Sequence, residues 1–200
     1  MIDLAIIEDD LDFRDGLQHY LRAQPTFSCD WVAGSMEEFF EQLQTAKPPE
    51  VVLMDSGLPG MSGVSGMPLL KEKYPAMNII LLMVYHDAHK VLDALCAGAS
   101  AYLLKNAPLA EIKATIELAY AGGAFMSPPI ARKALDHFAK AKSLQPPLAL
   151  TAVEQEIAGS IVAGLRHNAI AARLSIAPEA VPQQIKNIYT KLQALHVKAK

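Results

Sequence analysis

Five times in the first 121 residues a short apolar run gives way to a stretch whose hydrophobic side chains recur every three to four positions. The runs cover 4–7, about 27–33, 51–54, 79–84 and 101–104, and the helical patterns cover roughly 11–23, 36–45, 65–74, 88–97 and 109–121. Parallel strands need a crossover between them, and a helix supplies it. The alternation therefore predicts an α/β unit, a doubly wound parallel sheet of five strands with helices on both faces.

Such a sheet gathers its working side chains at the carboxyl ends of its strands. The first run ends in Glu8-Asp9-Asp10, the third in Asp55 followed by SGLPGMSG, and the fifth in Lys105. An aspartate at a strand end can simply turn the chain. Here three strand ends agree: converging carboxylates repel unless a cation lies among them, and a hard divalent ion such as Mg²⁺ is the simplest answer. A lysine facing that ion offers a point charge to a phosphoryl oxygen, so nucleophilic carboxylate, Mg²⁺ and lysine predict phosphoryl transfer. Asp10 reads as a solvated surface acid. A phosphatase of the haloacid-dehalogenase type would need a second acid two residues after the nucleophile, where this chain has Gly57. Glycines 57, 60 and 63 follow the third strand as GxxGxxG, which is not the dinucleotide fingerprint GxGxxG after the first.

Beyond Gly122-Gly123 a helical stretch covers 128–142, and Ser143 to Pro147 reads as a linker. The remainder holds no strand. Thr151 and Glu154 have capping-box spacing, Gly164 closes that helix, a short helix covers about 167–174, and a turn at 175–177 leads into a long helix with the buried stripe Val181, Ile185, Ile188, Leu192, Leu195. This is a small all-α helix-turn-helix arrangement. The expected division is 1–122, a linker with a helical stretch at 123–146, and 147–200.

Charge separates the same segments. Residues 1–122 carry 8 Lys/Arg against 17 Asp/Glu, whereas 123–146 carry 4 against 1 and 147–200 carry 6 against 3. An acidic module followed by mildly basic ones suits a cation or basic partner first and nucleic acid second. With 52% hydrophobic residues the chain can bury a core. No apolar run is long enough for a membrane span, early acids argue against a secretory signal, and Cys29 and Cys96 lack metal spacing, so a cytoplasmic protein with packed, reduced thiols is expected.

Taken in order, IIEDD, VVLMDSGLPGMSG, ALCAGASAYLLK, LTAVEQEI and ARLSIAPEAVPQQIKNIYTKL resemble the NarL/FixJ family of two-component response regulators over essentially the whole chain. The resemblance implies a flavodoxin-like receiver domain joined to a LuxR-type helix-turn-helix domain, and a transcription regulator with no activity beyond its own phosphorylation and dephosphorylation. It implies that a sensor histidine kinase phosphorylates Asp55, that Glu8, Asp9, Asp55 and the Gly57 carbonyl hold Mg²⁺, and that Lys105 pairs with the phosphoryl oxygens. Tyr102 matches the aromatic switch position. On the last helix Gln183, Gln184, Lys186, Asn187, Thr190 and Lys191 are expected to be exposed, with Gln183, Lys186 and Asn187 aimed at base edges and Arg166, Gln184 and Lys191 at phosphates. Activation is expected to produce a homodimer.

The sequence departs from the family at its working surfaces. Met83 stands where the family carries Thr or Ser, and a thioether donates no hydrogen bond to a phosphoryl group. Ala180 and Pro182 replace threonine and lysine, and Ala169 replaces glutamate. Pro182 is expected to make the recognition helix start late. The chain reaches Lys200 where a further helix would begin, so weak DNA binding is expected. The alternative reading is a phosphate-independent or protein-interaction regulator with a degenerate DNA-binding domain. His86 and His89 read as solvent-facing.

Overall fold

The structure, a computed structural model, describes residues 1–85, 87–140 and 148–198. The strands are β1 (Ile2–Ile7), β2 (Phe27–Ala33), β3 (Val51–Asp55), β4 (Asn78–Met83) and β5 (Ala101–Leu104). Between and after them lie α1 (Leu11–Arg22), α2 (Met36–Gln42), α3 (Gly63–Lys73), α4 (Ala88–Ala97) and α5 (Leu109–Tyr120). The strands pair in parallel in the order β2-β1-β3-β4-β5. The expected doubly wound, flavodoxin-like sheet is the one observed. Its order reverses beside β1, so the ends of β1 and β3 border the crevice where such sheets bind ligands.

Contacts divide the chain into two compact units, Met1–His86 with Ala97–Tyr120, and Asp87–Cys96 with Ala121–Lys200. In the first, alternate strand residues Leu4, Ile6, Val51, Leu53, Ile80 and Leu82 share one core with Leu17 and Leu21 of α1 and Ile112, Ile116 and Ala119 of α5. All five residues of β3 are buried, as expected of a central strand covered on both faces. Burial of each such side chain contributes roughly 1.5–3 kcal/mol before entropy is counted. Cys29 and Cys96 are both buried, and burial pushes their thiols up to about 12 and about 11. The fourth strand was expected to reach Val84 but ends at Met83, whose partner Leu104 is the last residue of β5. Val84 and Tyr85 then turn into solvent.

Ser62 caps α3 by accepting a hydrogen bond from Ser65 N–H. The helix begins against the end of β3: a Cβ on Gly63 would collide with the Asp55 carbonyl oxygen and press on the Met54 thioether. Because one obstacle is backbone, Gly63→Ala must displace either the helix start or the strand end. A loss of about 1–3 kcal/mol is expected, measurable by urea unfolding.

The second unit carries α6 (Pro128–Lys140), α7 (Ala152–Val162), α8 (His167–Leu174) and α9 (Ala180–Lys198). Thr151 and Glu154 form the expected capping box at α7. Gly164 (φ 82°) ends that helix, its N–H bonding to Ile161 and that of Leu165 to Ser160. Ser175 (φ 54°) supplies the left-handed turn after α8. Val181, Ile185, Ile188 and Leu192 are buried as the stripe predicts, while Leu195 is half-buried and Tyr189 joins the core. Pro182 does not delay α9. It occupies the first turn, where an absent N–H costs no intrahelical bond. The Ser143–Pro147 linker, His86 and the last two residues of the 128–142 helix lie outside the described residues. No helix among the described residues is long and apolar enough to cross a membrane.

Candidate functional site

The β1–β3 register pairs Ile7 with Met54, so the next residue of each strand, Glu8 and Asp55, emerges at the same end of the sheet. The β3–β4 register sets Asp55 opposite Leu82, and β4–β5 sets Met83 opposite Leu104, which delivers Lys105 to the same rim. Backbone bonding fixes this arrangement: Lys105 N–H donates to the Met83 carbonyl at 2.8 Å. Register alone thus brings together acids from two strands and a base from a third.

Glu8 is completely buried and Asp55 is 5% exposed, whereas Asp9 faces solvent. Lys105 Nζ lies 2.7 Å from Glu8 Oε2 and 3.2 Å from Asp55 Oδ2, bridging the two buried carboxylates. Glu8 Oε1 accepts from Lys105 Nζ at 2.8 Å and from the Asp10 N–H at 3.1 Å. Glu8 Oε2, close to the ammonium but out of hydrogen-bond alignment, has no donor among the described residues. Burial pushes the Glu8 carboxyl above the ordinary range and the Asp55 charge adds to this, against the opposing Lys105 and Asp10 hydrogen bonds. Burial would lower Lys105, but its bonds and charges from Glu8 and Asp55 outweigh that and raise it.

One oxygen from each of Glu8, Asp9 and Asp55 lies within 4.8 Å of the others, an acidic cluster able to hold a metal ion. The donor set is all oxygen, which suits a hard cation, and the orphaned Glu8 Oε2 supplies an unused lone pair. Gly57 sits over the Asp55 carboxylate, since a Cβ there would lie 3.6 Å from Asp55 Oδ2. Met83 is buried, one residue beyond the strand partner of Asp55, and Tyr102 is half-buried on β5 opposite Leu81.

In the second unit, α9 follows α8 across the left-handed turn at Ser175, and its outward side carries Gln183 and Thr190, exposed, with Gln184, Lys186 and Asn187 half-exposed. Arg166 is exposed at the start of α8, where its side chain makes no cap bond. Two helices in this relation, the second with a polar outer face, form a helix-turn-helix. The chain matches the family described as response regulator receiver domain over residues 4–117, and bacterial regulatory proteins, luxR family, over 148–198. It belongs to the LuxR-type response regulators.

Among curated relatives of this response regulator, transcriptional regulatory protein LnrK of Bacillus subtilis is 29% identical, covering 96% of this chain and 91% of its own. Transcriptional regulatory protein LiaR of the same organism is 32% identical over the same shares. A solved LuxR-family response regulator from Aurantimonas sp. SI85-9A1 superposes with a TM-score of 0.61 at 26% identity, covering 68% of this chain and 97% of its own. These relatives make the chain a two-component regulator of the transcriptional class, with receiver and LuxR-type DNA-binding domains.

One expected site residue is elsewhere. Lys191 does not lie on the exposed face of α9: its ammonium turns inward to Glu154 Oε2 at 2.6 Å and the Ala149 carbonyl at 2.8 Å. The same Glu154 oxygen accepts the Thr151 N–H of the capping box. An acid 2% exposed needs a counter-charge, and Lys191 is the side chain that reaches it. Two other roles went unread. Asp10 is the N-cap of α1, accepting from Asp12 and Phe13 N–H groups at 3.1 Å, a role its place just before a helical pattern advertises. The Phe13 ring lies 5.2 Å from Lys105 Nζ, and helical spacing gave no sign of that contact.

Proposed function

We propose that this response regulator takes a phosphoryl group on Asp55 from a sensor histidine kinase in the cytoplasm and, as a homodimer, controls transcription through α9. The observation that carries the reading is the Lys105 ammonium held against two buried carboxylates, Glu8 and Asp55, at the end of the parallel sheet. Glu8, Asp9, Asp55 and the Gly57 carbonyl would hold Mg²⁺, which when bound neutralises charge on the entering phosphoryl group. Asp55 acts as the nucleophile: one of its oxygens bonds to phosphorus as the bond from phosphorus to the donor nitrogen breaks. Lys105, 3.2 Å from Asp55 Oδ2, then shifts its bonding toward the phosphoryl oxygens.

On DNA, Gln183, Lys186 and Asn187 face base edges while Gln184 and Arg166 meet phosphates. A gel-shift series over salt tests this half of the reading. The logarithm of the binding constant should fall linearly with that of salt, and Lys186→Ala should weaken binding. Binding that is absent at low salt would favour the protein-interaction alternative.

A second reading is supported by buried Met83, where the family's hydroxyl donor is missing: phosphate is accepted but drives only a weak change. Met83→Thr restores a donor and should strengthen phosphodonor-induced dimerisation, followed by light scattering. An unchanged response would mean that the missing donor is compensated elsewhere.

A further inference from the structure

Residues 56–62 join the Asp55 end of β3 to α3, and Gly57, whose carbonyl would face Mg²⁺, lies near the start of this loop. Two hydrogen bonds frame it. The Ser56 N–H donates to the Leu82 carbonyl of β4 at 3.0 Å, and the Met61 N–H donates to Glu37 Oε1 of α2 at 3.1 Å. Between them Leu58 is buried and Gly60 turns the chain at a φ of 69°. The turn closes onto the same carboxylate, since a Cβ on Gly60 would lie 2.9 Å from Glu37 Oε1.

Glu37 can hold the loop because its own helix start is fixed. Ser35 caps α2 by accepting the Glu38 N–H at 3.2 Å, and Glu38 Oε2 accepts the Gly34 N–H at 2.6 Å. Glu38 is thus occupied within the helix start, while Glu37, one position earlier, reaches the loop. Met36 and Phe39 anchor this turn in the core, with Phe39 edge-on to Trp31 at 6.1 Å. Met36 also meets α3, where a Cβ on Gly66 would lie 2.5 Å from Met36 Cε and 3.2 Å from Met61 Sδ. Hydrogen bonds from its own N–H and from that of Met61 hold the Glu37 carboxyl below the ordinary range, so it is an ionised acceptor at neutral pH.

We propose that Glu37 is a positioning residue for phosphoryl transfer, pinning the loop after Asp55 so that the Gly57 carbonyl is held ready for Mg²⁺. The proposal rests on the reading of Asp55 as phosphoacceptor with Gly57 as a backbone ligand. Mg²⁺ demands near-ideal octahedral geometry, and a backbone ligand meets that demand only where the chain on either side of it is held. Gly57 is exposed and has no side chain to pack, so its carbonyl depends on the anchors at Ser56, Leu58 and Met61. Losing the Met61 bond lets the loop carry the carbonyl away. Binding of the ion weakens while the nucleophile stays intact.

The test compares Glu37→Ala with Glu37→Gln in the full chain. Both remove the same negative charge, but the glutamine amide oxygen can still accept the Met61 N–H, so the difference between them isolates the hydrogen bond. Glu37 is exposed, and neither change touches the core. Hydrogen exchange at the Met61 amide reports the bond, and calorimetric titration with MgCl₂, without any phosphodonor, reports the ion. Met61 should exchange faster in Glu37→Ala than in wild type or Glu37→Gln. Glu37→Ala should bind Mg²⁺ about two- to tenfold more weakly than Glu37→Gln, the share of one net hydrogen bond. Phosphodonor labelling should slow with it at limiting Mg²⁺ and recover at saturating Mg²⁺. Equal Mg²⁺ affinity in the two variants despite a released Met61 amide, or a Met61 amide equally protected in both, overturns the role of Glu37. A wild type that neither binds Mg²⁺ nor takes label on Asp55 overturns the phosphoacceptor reading itself, and the role of Glu37 falls with it.

Discussion

Treated with a small-molecule phosphodonor and Mg²⁺, the wild-type chain should gain one phosphoryl group by intact mass, and Asp55→Asn should gain none. The substitution is nearly isosteric, and the amide oxygen can still accept from Lys105, whose ammonium lies 3.2 Å from the carboxylate. What is lost is nucleophilicity, because an amide oxygen does not form a stable bond to phosphorus under these conditions. A chelator should abolish labelling of the wild type as completely as the substitution does. Glu8 and Asp9 would otherwise present two further negative charges to an anionic donor. Persistent labelling of Asp55→Asn would move the acceptor to another residue and sink the proposed chemistry.

The second large effect is one of stability. Lys191→Ala leaves the Glu154 carboxylate buried with only the Thr151 N–H to satisfy the oxygen that Lys191 had paired. Removing one partner of a buried pair costs about 3–5 kcal/mol, and the surviving cap bond argues for the lower end. The loss should appear in urea unfolding of the full chain, in the transition of the second unit. The double variant Glu154→Gln/Lys191→Met should recover much of it, since neither side chain then carries an unpaired charge. If Lys191→Ala kept its stability and instead lowered the salt slope of DNA binding by about one, the ammonium would be a phosphate contact after all.

The contrast between Lys186 and Lys191 marks where sequence reading stops. Both lie on the polar side of the α9 pattern, and helical spacing treats them alike. What separates them is Glu154, an acid 37 positions earlier that the α7 capping box draws into the core. A pairing between helices leaves no trace in the periodicity of either one. The strand ends are the opposite case: Glu8, Asp55 and Lys105 were legible because parallel strands have their carboxyl ends on one edge, so position in the pattern already implies position in space. Asp10 was read as a solvated acid although its place just before a helix marks a cap. The bonding of residues 122–126 to α9, Ala124 N–H to the Pro182 carbonyl and Tyr189 hydroxyl to the Phe125 carbonyl, was hidden for another reason: GGAFM has no period of its own, and its structure is imposed by the helix beside it.

The two native thiols have a practical consequence. With Cys29 near 12 and Cys96 near 11, the thiolate fraction at neutral pH is of order one in ten thousand or less. Burial slows reagents further. A cysteine introduced at an outlying site such as Tyr85, which is 82% exposed, would therefore react with a maleimide dye or spin label well before either native thiol. A single probe can then report on the response to a phosphodonor, with the natural cysteines left in place.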